Sequence, residues 1–356
     1  MLALLIQWYK RRFSDPQAIG LLVILLAGFC ILFFLSGLLA PLLVALVLAY
    51  LLEWPTVRLQ RIGCTRSWAT SIVLVLFAGI LLVLVLIVAP VAWQQGINLT
   101  RDLPNMLNKL YLYAAGLPRR FPALVDAGII DVIVENLRGR LSGVGDSLVK
   151  YSLASLVGLM ALMIYLVLVP LMVFFLLKDK EQMLNAVRRV LPRNRGLAGE
   201  VWQEMNQQIT NYIRGKVLEM VVVGIASWLA FMFLGLNYSL LLAVLVGVSV
   251  LIPYIGAMLV TIPVIGVGLF QWGLDSEFWT LLTVYLVIQA LDGNVLVPIL
   301  FSEAVNLHPL VIILSVVIFG GMWGFWGVFF AIPLATLVKA VVHAWPEAPL
   351  DETLSR

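Results

Sequence analysis

The chain has 356 residues, 62% of them hydrophobic and only 12% charged, with a formal net charge of +4 and a mean hydropathy of +1.05. Soluble domains carry about 25% charged residues, so a soluble globular fold is excluded, and the small positive excess lies in loop arginines rather than on a nucleic-acid surface. Two cysteines, Cys30 in an apolar run and Cys64 in a basic loop, and two histidines, His308 and His343, supply no disulfide framework, metal cluster or redox motif. No cofactor and no metal are expected.

Met1–Phe13 ends in Lys10-Arg11-Arg12 ahead of a long apolar run, which is not the pattern of a cleavable signal peptide. Apolar runs then fall at 19–53, 67–91, 152–177, 217–235, 239–272, 278–300 and 308–342. A helix needs about 20 apolar residues to cross a bilayer. Runs such as Ile72–Ala89 do not alternate as barrel strands would. The expected fold class is therefore an all-α polytopic membrane protein with about eight apolar helical elements. The first run predicts two passes, broken around Ser36-Gly37 and Pro41, so that residues 1–91 hold about three. Residues 92–150 read as a mixed-polarity helical insert outside the cytoplasm, punctuated by Pro104, Pro118 and Pro122.

Residues 151–216 add one apolar helix and a basic segment carrying Lys178, Lys180, Arg188, Arg189, Arg193, Arg195, Arg214 and Lys216. Within it Val201, Met205, Ile209 and Ile213 recur every four residues. That is the stripe either of a helix lying at the interface or of one helix docked from a solvated loop. The positive-inside rule places Lys10–Arg12, Arg58–Arg66, 178–216, Lys339 and Arg356 in the cytoplasm, with both termini. Residues 346–356 are a short tail.

From Val217 to Val338 no lysine or arginine occurs, yet Glu219, Asp275, Glu277, Asp292 and Glu303 do. Acids in an apolar segment are costly and face a cavity or a partner, so 217–345 reads as a transport core. The run 239–272 is interrupted by Pro253 and Gly256. The run 308–342 is interrupted by Gly320, Gly321, Gly324 and Gly327. Each divides into limbs too short to cross, which predicts two re-entrant helical hairpins; paired short spans are the other reading. Parity then makes two helix-plus-hairpin units of opposite direction, an inverted repeat. Leu236-Asn237 against Leu307-His308, Gly256 against Gly327, and Ile262-Pro263 against Ile332-Pro333 fit such a repeat.

Candidate binding residues follow from these breaks. Pro253 removes a backbone donor, Gly256 permits unusual dihedrals, and Tyr254 adds a hydroxyl and a ring; a plain proline kink is the equal alternative. Gln289, Asp292 and Asn294 end an apolar helix before Pro298, either as solute ligands at an unwound segment or as a helix end meeting water. Gly321 and Gly324 mark the second tip, where Trp323, Phe325 and Trp326 stand between small residues that also serve helix packing. Asp292, with Glu303 and His308, is the candidate for coupling. His308-Pro309 also reads simply as a helix start, and Glu219, three residues after Lys216, as half of a local ion pair.

Leu251-Ile252-Pro253-Tyr254-Ile255-Gly256, Asp292-Gly293-Asn294-Val295-Leu296-Val297-Pro298, Asn306-Leu307-His308-Pro309-Leu310-Val311 and Ala331-Ile332-Pro333-Leu334-Ala335 resemble, in order and spacing, the autoinducer-2 exporter family. The resemblance covers about residues 10–345. It implies a bacterial inner-membrane transporter assembled as a homopentamer, with hairpins that bind the substrate and move as an elevator. Its members divide between exporters of the quorum-sensing signal and sodium/proton antiporters. The expected function is a secondary permease exporting a small polar solute, with the lipid bilayer and that solute as partners and no nucleic acid. The alternatives are cation/proton antiport through the same acids, and a non-transporting membrane scaffold. No nucleophile–base pair or phosphate loop points to an enzyme or an ATP-driven pump.

Overall fold

The computed structural model describes residues 16–116, 164–190, 196–301 and 307–344. All its regular elements are helical, and among the described residues no strand occurs. In chain order they are α1 (Pro16–Arg61), α2 (Arg66–Gly116), α3 (Ile164–Lys178), α4 (Lys180–Val190), α5 (Gly196–Phe233), α6 (Ser239–Ser249), α7 (Ile255–Trp272) and α8 (Ser276–Leu291). A π-helical turn over Asp292–Leu296 leads into α9 (Val297–Phe301), followed by α10 (Pro309–Trp323), α11 (Phe325–Phe329) and α12 (Ala331–Ala344). Among the described residues five helices are long and apolar enough to cross a membrane, and several shorter apolar ones accompany them. The all-α polytopic expectation holds.

Three readings of the sequence are corrected. The first apolar run makes no reversal: α1 is one helix of 46 residues with Pro41 and Pro55 inside it, roughly 70 Å long at 1.5 Å per residue. A proline forfeits one helical hydrogen bond and kinks the chain, but the apolar residues on both sides keep the remaining bonds. Second, the insert does not begin at 92, because α2 runs 51 residues through Pro90 and Pro104 to Gly116. The remainder of the insert, 117–150, lies outside the described residues. Third, the Val201–Ile213 stripe belongs to no separate interfacial helix. It is the first half of the 38-residue α5, with Val201 and Met205 packed on Ala340 and Val341 of α12 and Ile213 fully buried.

Helix α5 is the post around which the rest assembles, touching α1, α6, α8, α9 and α12. Its contact with α6 is the closest, because glycines face each other there. A Cβ on Gly247 would stand 2.9 Å from the Met220 carbonyl oxygen and 3.1 Å from the Gly224 Cα. Helices α6 and α7 pack together through a tight connection, giving the first expected hairpin (hairpin 1). Its limbs are unequal at 11 and 18 residues, because the break falls before Pro253 rather than mid-run. Helices α10, α11 and α12 pack on one another as the second (hairpin 2). The two tips are closed alike. A Cβ on Gly256 would meet the Ser249 carbonyl oxygen at 1.8 Å, and one on Gly327 would meet that of Phe319 at 1.8 Å. The Gly256–Gly327 correspondence read in the sequence is thus a shared contact between limbs.

At one end of the bundle Glu53 holds α1 to its neighbours, with Lys180 Nζ at 2.9 Å and Arg66 at 3.6 Å. Arg66 Nε also donates to the Leu177 carbonyl at 2.7 Å. Two basic segments remote in sequence therefore share one end. Near the opposite end of α5, Gln95 of α2 accepts from the Leu241 amide and Gln271 bridges Asn237 and Gly235. There Tyr238 donates to Asp102, and burial, reinforced by that carboxylate, pushes its phenol up to about 12.

Gly247→Leu tests the close crossing of α5 and α6. The added side chain collides with α5 backbone rather than with a movable side chain, so the expected loss is at least about 1–3 kcal/mol. It is read as a lower melting temperature of the purified protein in detergent, with Gly266→Leu, whose Cβ meets nothing within 4 Å, as the control that stays near wild type.

Candidate functional site

The site begins on α5. Tyr212, Lys216 and Glu219 recur at helical spacing and so share one face. Lys216 and Glu219 are almost wholly buried, with side-chain exposures of 6% and 2%. They form an ion pair at 2.8 Å, a close charge contact rather than an aligned hydrogen bond, since Glu219 Oε2 gains no hydrogen-bond partner. The same ammonium donates to the Val250 carbonyl at 3.0 Å and lies 5.2 Å from the centre of the Phe301 ring. One cation thus ties α5 to the end of α6 and to α9. Tyr212, fully enclosed, donates to the Phe329 carbonyl at 2.9 Å and adds hairpin 2 to the same post.

The tip of hairpin 1 forms the second wall. After α6 ends, the Ile252 amide bonds to Ser249 and the Ile255 amide reaches back to the Pro253 carbonyl at 2.6 Å. That bond encloses Tyr254 at φ 61°, ψ −52°, a three-residue γ-turn of the rare kind with positive φ at its centre. A tyrosine held there stores of order 1–3 kcal/mol of strain. The backbone cannot relax outward, because Gly256 is pressed against Ser249 and its amide is bonded to Ile252 at 2.9 Å. The Tyr254 side chain is left more than half exposed at the edge of the site.

The third wall is where α8 fails. Pro298 has no amide to return to the carbonyl four residues back, and the chain widens into the π-turn. The Val297 amide bonds to the Asp292 carbonyl, and the Asn294 side chain donates to the Ala290 carbonyl at 2.8 Å. Such π-turns are frequent at functional sites. Gln289 donates to the Tyr285 hydroxyl at 3.1 Å, itself 2.9 Å from the Thr261 hydroxyl, so its amide is anchored. Asp292 is half-buried, and its Oδ1 is enclosed with no hydrogen-bond partner.

These walls enclose a cavity of about 270 Å³, with Ile312 of α10 and Ile332 of α12 as its apolar closure. Its charged groups are Lys216, Glu219 and Asp292, two carboxylates against one ammonium. Lys216 and Asp292 line the same space without an ion pair between them. An arrangement of this kind can bind a small polar solute or exchange a proton. It has no nucleophile poised beside a base.

Of the sequence candidates, Pro253, Tyr254, Gln289 and Asp292 come together on this cavity, and Gly256 closes the tip behind it. Asn294 and Pro298 shape the π-turn but are exposed and do not line it. Gly321 and Gly324 are exposed at the tip of hairpin 2, outside the cavity; Gly324 has φ 59° and ends α10. His308 caps α10, its Nδ1 accepting from the Leu310 amide at 3.2 Å, with Pro309 in the first turn. Glu303 lies outside the described residues. The sequence reading paired Lys216 with Glu219 but did not assign them, or Tyr212, to the site. The signal was present, since Lys216 is the last cation before the long cation-free stretch and its partner is the first acid within it.

Comparison with known proteins gives one consistent result. The pattern of the family described as "AI-2E family transporter" matches residues 22–347. A protein of Escherichia coli (strain K12) named "Putative permease PerM" is 77% identical over 352 residues, covering 99% of this chain and 100% of the relative. "Putative transport protein YueF" of Bacillus subtilis (strain 168) is 27% identical over 86% of this chain and 84% of its own. "AI-2 transport protein TqsA" of Escherichia coli (strain K12) is 27% identical over 91% and 90%. Built of membrane-length apolar helices and matched along nearly its whole length, this chain belongs to the AI-2E transporter family and is a multi-pass membrane transport protein.

Proposed function

We propose that the protein is a secondary permease that exports a small polar solute through the cavity between α5, the hairpin 1 tip and the π-turn. The observation that carries this reading is Asp292: an enclosed carboxylate oxygen without a partner, facing a space of solute size beside a strained backbone turn. Tyr254 and Gln289 are the solute ligands on opposite walls, and Asp292 is the coupling group. A solute like autoinducer-2 suits a cavity with hydroxyl, amide and carboxylate groups, and the name of the TqsA relative supports that class.

An elevator-type motion is the mechanism we favour. The Lys216 bond to Val250 is a polar tie between α5 and the hairpin 1 tip, beside the apolar packing of α6 on α5. We place the protein in a bacterial inner membrane as a homopentamer, as the family resemblance implies. The end carrying Arg58, Arg61, Arg66, Lys178 and Lys180 would face the cytoplasm under the positive-inside rule. The excess carboxylate in the cavity favours one further reading, cation/proton antiport through the same acids. A sodium-dependent pH change in everted vesicles supports it, and no change removes it.

Asp292→Asn keeps the shape of the site and removes its charge. Efflux of autoinducer-2 from proteoliposomes is expected to fall at least tenfold, a rise of about 1.4 kcal/mol in the barrier, and unchanged flux would take Asp292 out of the site. Tyr254→Gly separates strain from ligation. Glycine accepts φ 61° freely, so the melting temperature should hold or rise while flux drops; a variant that transports like wild type would show that the ring binds nothing.

A further inference from the structure

Lys216 and Asp292 occupy one cavity but are not bonded to each other. The ammonium is engaged by Glu219, the Val250 carbonyl and the Phe301 ring, whereas Asp292 Oδ1 is enclosed without a partner. Among the described residues, the other titratable groups on the cavity are the phenols of Tyr212 and Tyr254. Tyr212 is committed to the Phe329 carbonyl, and Tyr254 stands at the open edge. Hairpin 2 contributes only Ile312 and Ile332. The balance among the three charges therefore depends on whether Asp292 carries a proton. With it, one carboxylate faces one ammonium and the cavity is neutral. Without it, an unpaired carboxylate is left in a largely apolar enclosure, which is costly unless a cation approaches.

A cation that can approach is already in the cavity. A lysine ammonium is a compact charge on a flexible four-carbon stem with rotatable donors. Its bond to Val250 is to a neutral carbonyl, weaker than one to a carboxylate. That carbonyl begins the hairpin 1 tip, whose backbone is strained at Tyr254 and closed tightly by Gly256. Releasing the Val250 bond removes the Lys216 tie between α5 and the start of the tip, while the γ-turn and the Gly256 contact keep the tip's own shape.

We propose that Lys216 is a partner-switching lysine that clamps the tip of hairpin 1 while Asp292 is protonated and leaves Val250 for Asp292 when that proton departs. In the step, the Asp292 O–H bond breaks and the proton passes to cavity water. The ammonium stays protonated, gives up the Val250 carbonyl and bonds Oδ1, keeping Glu219 as its second partner. The structure corresponds to the clamped arrangement. The inference rests on the cavity being the transport site and names what drives its opening: proton loss rather than solute contact alone.

The test reads the tip itself and needs no transported solute. Ser249→Cys, in a background with Cys30→Ser and Cys64→Ser, places one thiol at the cavity beside Val250. Its rate of reaction with a water-soluble maleimide is measured from about pH 5 to about pH 9, in the full-length protein, with and without Asp292→Asn. Dividing the two rates at each pH cancels the titration of the thiol. The ratio is expected near 1 at the acid end and to rise about tenfold with pH, as loss of one charge-assisted bond to the tip allows; a ratio that stays flat overturns the switch. The double variant Lys216→Gln/Glu219→Gln, which removes the ammonium together with its ion-pair partner, should label fast at every pH. If instead it keeps the parent's pH dependence, Lys216 is not the moving part. Solute flux with a flat ratio would end this inference and spare the permease reading, and a rising ratio with no flux would do the reverse.

Discussion

One buried ammonium holds the functional half of this protein together. Lys216 is placed in an apolar bundle where a charge survives only with partners, and it finds three kinds: a carboxylate one turn away, a backbone carbonyl on α6 and an aromatic face on α9. Each partner belongs to a different structural task. Glu219 neutralises, Val250 fixes the hairpin tip, and Phe301 fixes the segment after the π-turn. Removing the cation would leave Glu219 buried and unpaired, a cost of about 3–5 kcal/mol for a pair of this kind. The position of the tip and that of Asp292 are therefore both set from α5.

The hairpins depend on a second constraint, the absence of side chains where backbones meet. Gly256 and Gly327 each lie against the last turn of the preceding limb, at distances no Cβ could share. Gly247 does the same where α6 crosses α5, against the Met220 carbonyl and Gly224. Close approach of this kind is how helices associate in a membrane, where lipid tails compete for apolar contact. The common construction of the two tips is the strongest structural trace of a repeat, yet only the first tip borders the charged cavity. The second is tied to α1 through Trp323, whose ring lies 4.7 Å from that of Phe29. Two similar devices thus sit in different surroundings.

Much of the architecture was legible in the amino acids because it follows from composition. A chain this apolar must be helical in a bilayer, and of the acids in the cation-free stretch Glu219 and Asp292 meet at a cavity while Asp275 and Glu277 stand exposed at the start of α8. The breaks at Pro253 and before Pro298 were legible for a local reason, the missing proline amide. Misreadings arose where the same logic was pressed too far. Pro41, Pro90 and Pro104 lie within continuous helices, since one lost bond does not stop a helix whose neighbours are all good formers in an apolar setting. The Val201–Ile213 stripe was seen, but whether it faced lipid or protein depended on α12, which lies far along the chain.

The sequence by itself determined the helical membrane fold, the hairpin breaks, the pairing of Lys216 with Glu219 and the place of Asp292 at a helix break. These rest on composition, on residues with special backbone chemistry and on neighbours three apart on a helix. Only the tertiary structure decided that Lys216 lines one cavity with Asp292, far along the chain, and that hairpin 1 rather than hairpin 2 brings its tip there. It also decided that Tyr254 sits in a strained turn and that Gln289 is held by Tyr285 and Thr261. These are relations between helices brought together by packing, and no local pattern along the chain encodes which face of one helix meets which face of another.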